Sequence, residues 1–558
     1  MMVPAANGLA RILKAEGVQW VSTFPVCCVN NALGHEGIPM LMMRDERYAV
    51  AVADAFSRVT NGERIGVCTV MGGINPAGLQ IAFGALAQAY EDSSPLLCIA
   101  DGVPLDATGT MRFDMRSAFQ PVCKWVGHID RPERVPEIMR RAFTMLRSGR
   151  PGPVLVTLPR GVGSGRGMGE YDEDADPYVP VKGWRSAPDP DDVRAAAAAL
   201  TAAQRPLIYA GEGVLYAGAS AELVALAELL QIPVLTTLKA KSVFPEDHSL
   251  SVGTRGEMAN HFLRECDVLL AVGTSLSRGH FRHDVPDAAH KTVIQCTIDE
   301  TDLNRVFPVD HALIGDARLA LQALYDELAN TEPPNRNAQR PALRADIDRA
   351  RTAFQAKYGP LMESDEVPIN PYRVYGDLMK GLDRHNSFVT HDSGNTRDQS
   401  STVYETLIPR GYLGWGNVST LGYGLAAATA AKLAFPERQC INITGDAGVG
   451  YMLGNLEALV RHEIGVTTIH INNGGFAGYG EGFWGTGHDP YTCEVCEHEV
   501  ADMSRAAAAI GYYAEDVSEP DEILPALARC LEQNARDRPA YLEIICSQYP
   551  VFGAWVKA

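Results

Sequence analysis

The sequence contains no hydrophobic run long enough to cross a membrane. No segment approaches the ~18 consecutive apolar residues that a spanning helix requires. Residues 1–17 lack the apolar core of a signal peptide and have the pattern of an amphipathic helix. These absences predict a cytoplasmic protein with no membrane partner.

Basic residues are few relative to acidic ones. The chain has 49 Lys and Arg against 68 Asp and Glu, a net charge of −19, and no basic block or stripe. Proteins that bind nucleic acid usually carry a clustered positive surface. The charge pattern therefore argues against nucleic acid as a partner.

Cysteine motifs are also sparse, although the chain has 12 cysteines. Several lie inside apolar runs, as expected in a reduced compartment: Cys68, Cys98, Cys266, Cys440 and Cys546. Cys27 and Cys28 are adjacent, and Cys493 and Cys496 form one CxxC. A zinc site normally needs a second such pair or histidines at ligand spacing. His488 and His498 lie nearby, but we favour ordinary loop cysteines and leave the roles of these two pairs open.

At 558 residues the chain is too long to form a single hydrophobic core, and the usual size of protein domains predicts three or four of them. Its 46% hydrophobic and 21% charged residues are ordinary for a globular protein. Strand and helix patterns alternate in three blocks separated by two polar linkers. This alternation predicts an α/β protein with three doubly wound parallel-sheet domains, at 1–165, 186–330 and 367–548.

The third block contains the segment around which the chain is organised. Residues 440–444 have the pattern of a short buried strand, 451–461 that of a helix, and 465–471 that of a second buried strand. In such a βαβ unit ligands bind at the carboxyl ends of the strands. Asp446 and Asn473 both fall there.

These residues predict a magnesium and diphosphate site. Mg²⁺ takes a few hard oxygen ligands from protein and the rest from phosphate and water. The Asp446 carboxylate, the Asn473 amide oxygen and the Gly475 carbonyl form a candidate ligand set. Small residues beside Asp446 let backbone N–H groups approach a diphosphate: Gly445, Ala447 and Gly448. From this segment alone, an ordinary turn with an Asp that caps a helix remains the alternative.

The same residues resemble the signature of thiamin-diphosphate-dependent enzymes, Gly-Asp-Gly followed roughly two dozen residues later by Asn-Asn. Ala447 in the third position is similar to the acetolactate synthase branch. The resemblance, to the acetolactate synthase and pyruvate oxidase group, covers essentially the whole chain. It implies an N-terminal pyrimidine-binding domain, a central domain and a C-terminal diphosphate-binding domain.

A second segment, 44–49, resembles the family's Arg-His-Glu motif, with Asp45 in place of the histidine. The resemblance implies that Glu46 is the carboxylate that activates the aminopyrimidine of the cofactor. Such a carboxylate needs an apolar pocket in which its proton is shared with the ring. A solvated charged turn is the alternative, and the magnesium motif favours the activator.

Further cofactor contacts follow from the resemblance. Residues 71–76 are similar to the family's loop that lines the cofactor, which implies contacts from Gly73 and Asn75. Residues 417–422 are similar to the loop whose apolar residue separates the two cofactor rings. Leu421 takes that place, with core packing as its alternative, and Ser419 contacts the pyrimidine. Four residues fall where the family contacts the diphosphate: Ser393, Gly394, Asn395 and Thr396.

The implied reaction is decarboxylation of a 2-oxo acid such as pyruvate, followed by carboligation of the two-carbon unit to a second carbonyl. The substrate stays open, because 111–115 replaces the Phe-Gln-Glu loop of acetolactate synthases and Cys27 and Cys28 replace a Gly-rich loop. The loop after Asn473 would line the substrate channel. Its candidate contacts are Tyr479, His488 and Glu494, although each residue taken alone is better explained as an ordinary loop residue.

Two alternatives remain. One is a 2-hydroxyacyl-CoA or oxalyl-CoA lyase or decarboxylase. The other is a non-catalytic regulatory relative, which would be expected to lack Glu46, Asp446 or Asn473. FAD in the central domain is possible and undecided. The resemblance also implies a homodimer or homotetramer in which Glu46 of one subunit faces Asp446 of another.

Overall fold

The computed structural model describes residues 1–73, 76–103, 113–159, 169–330, 340–475, 501–549 and 551–557. It confirms the α/β class, with three parallel sheets flanked by helices. Two compact units form: 1–184 with 429–436 and 452–464, and 185–428 with 437–451 and 465–558. Within the described ranges, no helix has both the length and the hydropathy of a membrane span.

The N-terminal sheet has six strands: β2 (Val21–Thr23), β3 (Met40–Met42), β4 (Gly66–Val70), β5 (Leu96–Gly102), β6 (Trp125–His128) and β7 (Val154–Pro159). Their order is β3-β2-β4-β5-β7-β6, and every neighbouring pair is parallel. Its helices are α1 (Ala5–Ala15), α2 (Asn30–His35), α3 (Glu46–Val59), α4 (Ala77–Glu91), α5 (Met115–Phe119) and α6 (Val135–Arg147). Two further strands, β1 (Met2–Pro4) and β8 (Glu170–Asp172), pair antiparallel outside this sheet.

Helices cover both faces of the N-terminal sheet, so its central strands β4, β5 and β7 are buried along their whole length. All seven residues of β5 are buried. One core cluster contains Leu9 of α1 and Phe143 of α6, and another contains Val50 of α3 and Leu86 of α4. Burial on both faces is typical of parallel sheets and explains why their strands lack polar alternation.

The central domain repeats this plan with five parallel strands in the order β10-β9-β11-β12-β13. The strands are β9 (Pro206–Ala210), β10 (Val234–Thr236), β11 (Val268–Val272), β12 (Thr292–Thr297) and β13 (His311–Ile314). The helices are α7 (Pro190–Ala202), α8 (Glu212–Tyr216), α9 (Ser220–Leu230), α10 (Glu257–Glu265) and α11 (Ala317–Asn330). The long helix α12 (Arg340–Met362) follows.

The C-terminal sheet has six parallel strands in the order β15-β14-β16-β17-β19-β18. They are β14 (Ser387–His391), β15 (Tyr412–Leu413), β16 (Gln439–Gly445), β17 (Thr467–Asn472), β18 (Tyr513–Val517) and β19 (Ala540–Ile545). Its helices are α13 (Pro371–Gly381), α14 (Asn395–Val403), α15 (Tyr423–Ala434), α16 (Asp446–Met452), α17 (Leu456–Arg461), α18 (Met503–Ile510) and α19 (Ile523–Asn534). Strands β14, β16 and β17 therefore lie side by side and end at one edge.

Candidate active site

A cleft opens at the carboxyl edge of the C-terminal sheet. Its walls come from the turns after β14, β16 and β17. The lining residues include Ser393, Gly394, Asn395, Thr396, Gly445, Asp446, Ala447, Gly448, Asn473 and Gly475. The structure thus brings together the residues predicted to contact the diphosphate and those predicted to bind the metal.

The pairing of β16 with β17 places Asp446 beside Asn473. Gly445, the last residue of β16, is the register partner of Ile471 in β17. Asp446 then begins α16, and the backbone N–H of Asn473 donates to Asp446 Oδ2 at 3.3 Å. Gly474 has a φ of 69°, in the left-handed region that glycine adopts without strain, and turns the chain so that Gly475 also lines the cleft.

Three polar groups converge at this point: the Asp446 carboxylate, the Asn473 amide and the Gly475 carbonyl. In one orientation of the amide its oxygen faces only acceptors, and in the opposite orientation its nitrogen donates to the Gly475 carbonyl at 3.2 Å and to Asp446 Oδ2 at 3.1 Å. The oxygens of the first orientation repel one another unless a hydrogen or a cation lies between them. Neighbouring ligands of an octahedral Mg²⁺ at about 2.1 Å are separated by about 3 Å. The donor set therefore fits a bound Mg²⁺.

His470 on β17 supports Asp446 from behind. Its Nε2 lies 3.3 Å from Asp446 Oδ1, and its Nδ1 lies 3.0 Å from the Tyr541 hydroxyl and 3.6 Å from Glu543 Oε1. All four side chains are buried. Burial, reinforced by the charges of Glu543 and Asp446, raises the pKa of Tyr541 well above its usual value, so the phenol keeps its proton. The protonated phenol can donate to His470 Nδ1, which lies opposite the Nε2 that faces Asp446.

Glu543 is held in turn by two groups from neighbouring elements. Asn472 Nδ2 donates to its Oε1 and the backbone N–H of Ser504 donates to its Oε2, each at 2.6 Å. Residues that orient a metal ligand through hydrogen bonds commonly set its affinity for the metal. Sequence reasoning missed His470 because a histidine within a β-branched strand looks like part of the core.

Asp392 joins the turn after β14 to the loop before α15. Its fully buried carboxylate accepts hydrogen bonds from the backbone N–H groups of Ser393 at 2.7 Å, Gly422 at 3.0 Å and Gly424 at 3.4 Å. Sequence reasoning missed this role as well. The sequence does show an acidic residue directly after a buried strand, but it does not show which backbone N–H groups that residue binds.

The loop that Asp392 holds contains both residues predicted to contact the cofactor rings. Ser419 has a φ of 65°, unusual for a residue with a side chain, and its hydroxyl lies 2.6 Å from the Ser393 hydroxyl. Strained backbone of this kind clusters at functional sites. Leu421 is half-buried, so the core-packing alternative accounts for only part of its surface.

Glu46 is the first residue of α3 in the N-terminal domain. Asp45 caps this helix by accepting from the Tyr48 backbone N–H at 2.7 Å. Glu46 is only 4% exposed, and burial raises the pKa of its carboxyl, with a smaller contribution from the Asp45 charge and against the effect of its own backbone amide. Gly78 makes room for it, because a Cβ there would lie 2.7 Å from Glu46 Oε1. A buried carboxyl with a raised pKa is what the predicted activator requires.

Gly73 turns the chain after β4 with a φ of 73°, and its N–H donates to the Asp101 carbonyl at 2.8 Å. Several predicted residues lie outside the described ranges: Asn75, Tyr479, His488, Cys493, Glu494 and Cys496. Their predicted roles stay predictions.

Family models match three segments of the chain. They are described as the N-terminal TPP binding domain (4–126), the central domain (193–324) and the C-terminal TPP binding domain (392–544) of thiamine pyrophosphate enzymes. The matches fall on the three parallel sheets in order.

Full-length relatives give the same result. A probable acetolactate synthase large subunit of Methanocaldococcus jannaschii is 31% identical over 97% of this chain and 91% of its own length. The acetolactate synthase isozyme 3 large subunit of Escherichia coli K12 is 27% identical, covering 97% and 95%. A glyoxylate carboligase of Escherichia coli O157:H7 is also 27% identical, covering 97% and 93%.

Proposed function

Because the chain belongs to the thiamin-diphosphate-dependent enzymes of the acetolactate synthase group, we propose that it decarboxylates a pyruvate-like 2-oxo acid. The remaining two-carbon unit is then joined to a second carbonyl. The relatives are acetolactate synthases and a glyoxylate carboligase, which favours C–C bond formation as the outcome of turnover.

The placement of Asp446, Asn473 and Gly475 around one cleft carries the proposal. This set would hold Mg²⁺, which in turn binds the diphosphate. Helix α14 begins in the same cleft with Asn395, and its N-terminal N–H groups and dipole favour a bound anion. The cleft thus offers a cation and a helix N-terminus to one diphosphate.

The remaining predicted residues would act on the rings and not on the diphosphate. When bound, thiamin diphosphate supplies the nucleophile and electron sink for C–C cleavage. Glu46 would hold a proton against the pyrimidine nitrogen, which its buried position and raised pKa favour. Leu421 would separate the rings, and Ser419 would bond the pyrimidine edge through its carbonyl.

The test is a product analysis on the purified full-length chain with thiamin diphosphate and Mg²⁺. Pyruvate and glyoxylate are supplied separately and together with a second 2-oxo acid, and products are identified by mass spectrometry. Acetolactate or another carboligation product is expected, and its formation should stop with chelator or in the Asp446→Asn variant. Cofactor binding without turnover of any 2-oxo acid would overturn the proposal and favour an acyl-CoA substrate.

The same preparation tests the remaining parts of the proposal. We propose a cytoplasmic homodimer or homotetramer with active sites at the subunit interface, which light scattering on the eluting protein would measure. Bound FAD, which stays undecided, would be visible in the absorbance spectrum. The presence of Glu46, Asp446 and Asn473 argues against the non-catalytic alternative.

A further inference from the structure

A second cluster of ligating side chains lies in the N-terminal domain. The Sγ atoms of Cys27 and Cys28 and a carboxylate oxygen of Asp101 all lie within 4.8 Å of one another. Cys27 and Asp101 are buried, whereas Cys28 is partly exposed and gives access from solvent. Neither the predicted magnesium site nor the proposed reaction uses these side chains.

The fold places this cluster at the carboxyl edge of the N-terminal sheet. Cys27 and Cys28 lie between β2 and α2, and Asp101 lies near the end of β5. The backbone N–H of Cys28 donates to Asp101 Oδ1 at 2.7 Å, which fixes the carboxylate relative to the thiols. The Asp101 carbonyl is itself held by the Gly73 N–H at 2.8 Å. The three side chains are therefore positioned before any ligand arrives, as a binding site requires.

The atoms around the cluster are electron-rich. Cys27 Sγ lies 3.9 Å from the Ile99 carbonyl and Cys28 Sγ lies 3.5 Å from the Leu158 carbonyl, and the Asp101 carboxylate completes the group. A thiolate is disfavoured beside a carboxylate and two carbonyls. A divalent cation would instead favour the thiolate, because its positive charge stabilises the thiolate and the carboxylate together.

Two sulfurs and one oxygen select a particular kind of cation. Thiolates prefer Zn²⁺ and related thiophilic metals, whereas Mg²⁺ prefers oxygen. With Zn–S bonds of about 2.3 Å and a Zn–O bond of about 2.1 Å, tetrahedral ligand atoms are roughly 3.5 to 3.8 Å apart. The three ligand atoms lie within 4.8 Å of one another, so each separation exceeds this spacing by about 1 Å at most.

We propose that Cys27, Cys28 and Asp101 bind one thiophilic divalent cation of the Zn²⁺ class. The fourth coordination position is left to water or another external ligand, as in zinc sites with three protein ligands. This site is separate from the predicted magnesium set, differs from it in ligand chemistry and does not rest on the proposed reaction.

The test uses the full chain with Cys493→Ser and Cys496→Ser, because that CxxC is a competing source of thiolates. After metal is removed with chelator, Cd²⁺ is added and the ultraviolet thiolate-to-metal charge-transfer absorbance is followed. Zn²⁺ affinity is measured by competition with a chromogenic chelator. We expect one cation per chain and a charge-transfer band from two thiolates.

Substitutions then identify the ligands. Cys28→Ser should reduce the band and weaken Zn²⁺ binding by more than about 100-fold, above the range typical of residues that only orient a ligand. Asp101→Asn should weaken binding but keep the full band. Cys123→Ser, at a buried cysteine of the same domain outside the cluster, is the matched control and should change neither.

Three results would overturn the proposal: no Cd²⁺ band, equal Zn²⁺ affinity in Cys28→Ser, or one cation shared by two chains. Oxidation of Cys27 and Cys28 to a disulfide by diamide, with no metal binding in the reduced protein, would also count against it. Because Cys27 is buried and its loss risks misfolding, the decision rests on the variants at Cys28 and Asp101. Circular dichroism confirms that each is folded.

Discussion

Substitution of Glu46 by Gln should abolish most turnover without unfolding the protein. Gln has almost the same size, so it can occupy the space beside Gly78 that only a residue without Cβ leaves open. The backbone cap of α3 comes from Asp45 and does not depend on the Glu46 side chain. What the substitution removes is the ability to hold and release a proton.

The expected magnitudes follow from that difference. Loss of a general acid or base typically costs about 10²-fold or more in rate, which corresponds to about 2.7 kcal/mol. The rate should fall, but the thermal stability of the Glu46→Gln variant should not. Burial raises the pKa of Glu46, so its contribution to folding is full below the pKa of the unfolded chain and is lost as pH rises through the folded pKa. Near neutral pH, Glu46→Gln should therefore unfold at the same or a slightly higher temperature.

Three measurements separate these effects. Tryptophan fluorescence gives cofactor affinity, product formation at saturating cofactor gives the rate, and thermal unfolding at acidic and neutral pH gives stability. Glu63→Gln, at an exposed position of the same domain, is the control and should behave as the parent protein. If Glu46→Gln binds the cofactor and turns over at the full rate, the role assigned to Glu46 is wrong.

Three further predictions concern the C-terminal domain. His470→Phe removes the contact behind the predicted metal ligand and should weaken Mg²⁺ binding about 10- to 100-fold, measured by titrating Mg²⁺ at fixed cofactor. Gly448→Ala places a Cβ 2.3 Å from the Thr444 hydroxyl and should weaken cofactor binding, whereas Gly450→Ala, which meets nothing within 4 Å, should not; calorimetry compares the two. Burial alone would raise the pKa of the Asp398 carboxyl, but the charges of neighbouring arginines lower this pKa overall. The contribution of the charged carboxylate to the stability of the folded protein is therefore lost as pH falls through the pKa of the folded state. Asp398→Asn should cost about 3–5 kcal/mol at neutral pH and flatten the acid limb of thermal unfolding; unchanged stability would contradict this.

The order of strands and helices could be predicted because the central strands are buried on both faces. β11 and the first five residues of β5 appear in the sequence as unbroken apolar runs, and the structure confirms the α/β class they indicate. Strands β8 and β18 were missed for the opposite reason. Both contain exposed or partly exposed polar residues, so neither has an apolar run.

One helix boundary was predicted wrongly. The spacing of apolar residues predicted a helix over 451–461, but α16 already begins at Asp446, and a 3-10 turn over Leu453–Asn455 separates it from α17. The small residues after Asp446 carry no apolar periodicity, so the first turn of α16 was invisible to that criterion. Asp446 is thus the first residue of α16.

Some residues of the candidate site could be identified from their spacing in the sequence, whereas others are recognised only from the contacts they make in the folded chain. Asp446 and Asn473 could be named because strand, helix and strand fix their spacing in sequence. Asp392 could not, since its partner Gly422 is brought to it only by the folded chain. The role of His470 likewise depends on its contact with Asp446, which the pairing of β16 with β17 creates. Sequence patterns identify groups that touch a ligand more readily than groups that position them.

The choice of Asn rather than Asp at position 473 follows from the same geometry. If Mg²⁺ binds as proposed, the amide would present its oxygen beside Asp446 and Gly475. Without the cation, rotation of the amide lets its nitrogen donate to the same two oxygens, at 3.1 and 3.2 Å. An aspartate could do this only by taking up a proton, because two charged carboxylates would otherwise face each other in a partly buried cleft. An amide satisfies both states without backbone movement, so the site can be preorganised for the cation and still remain stable before it binds.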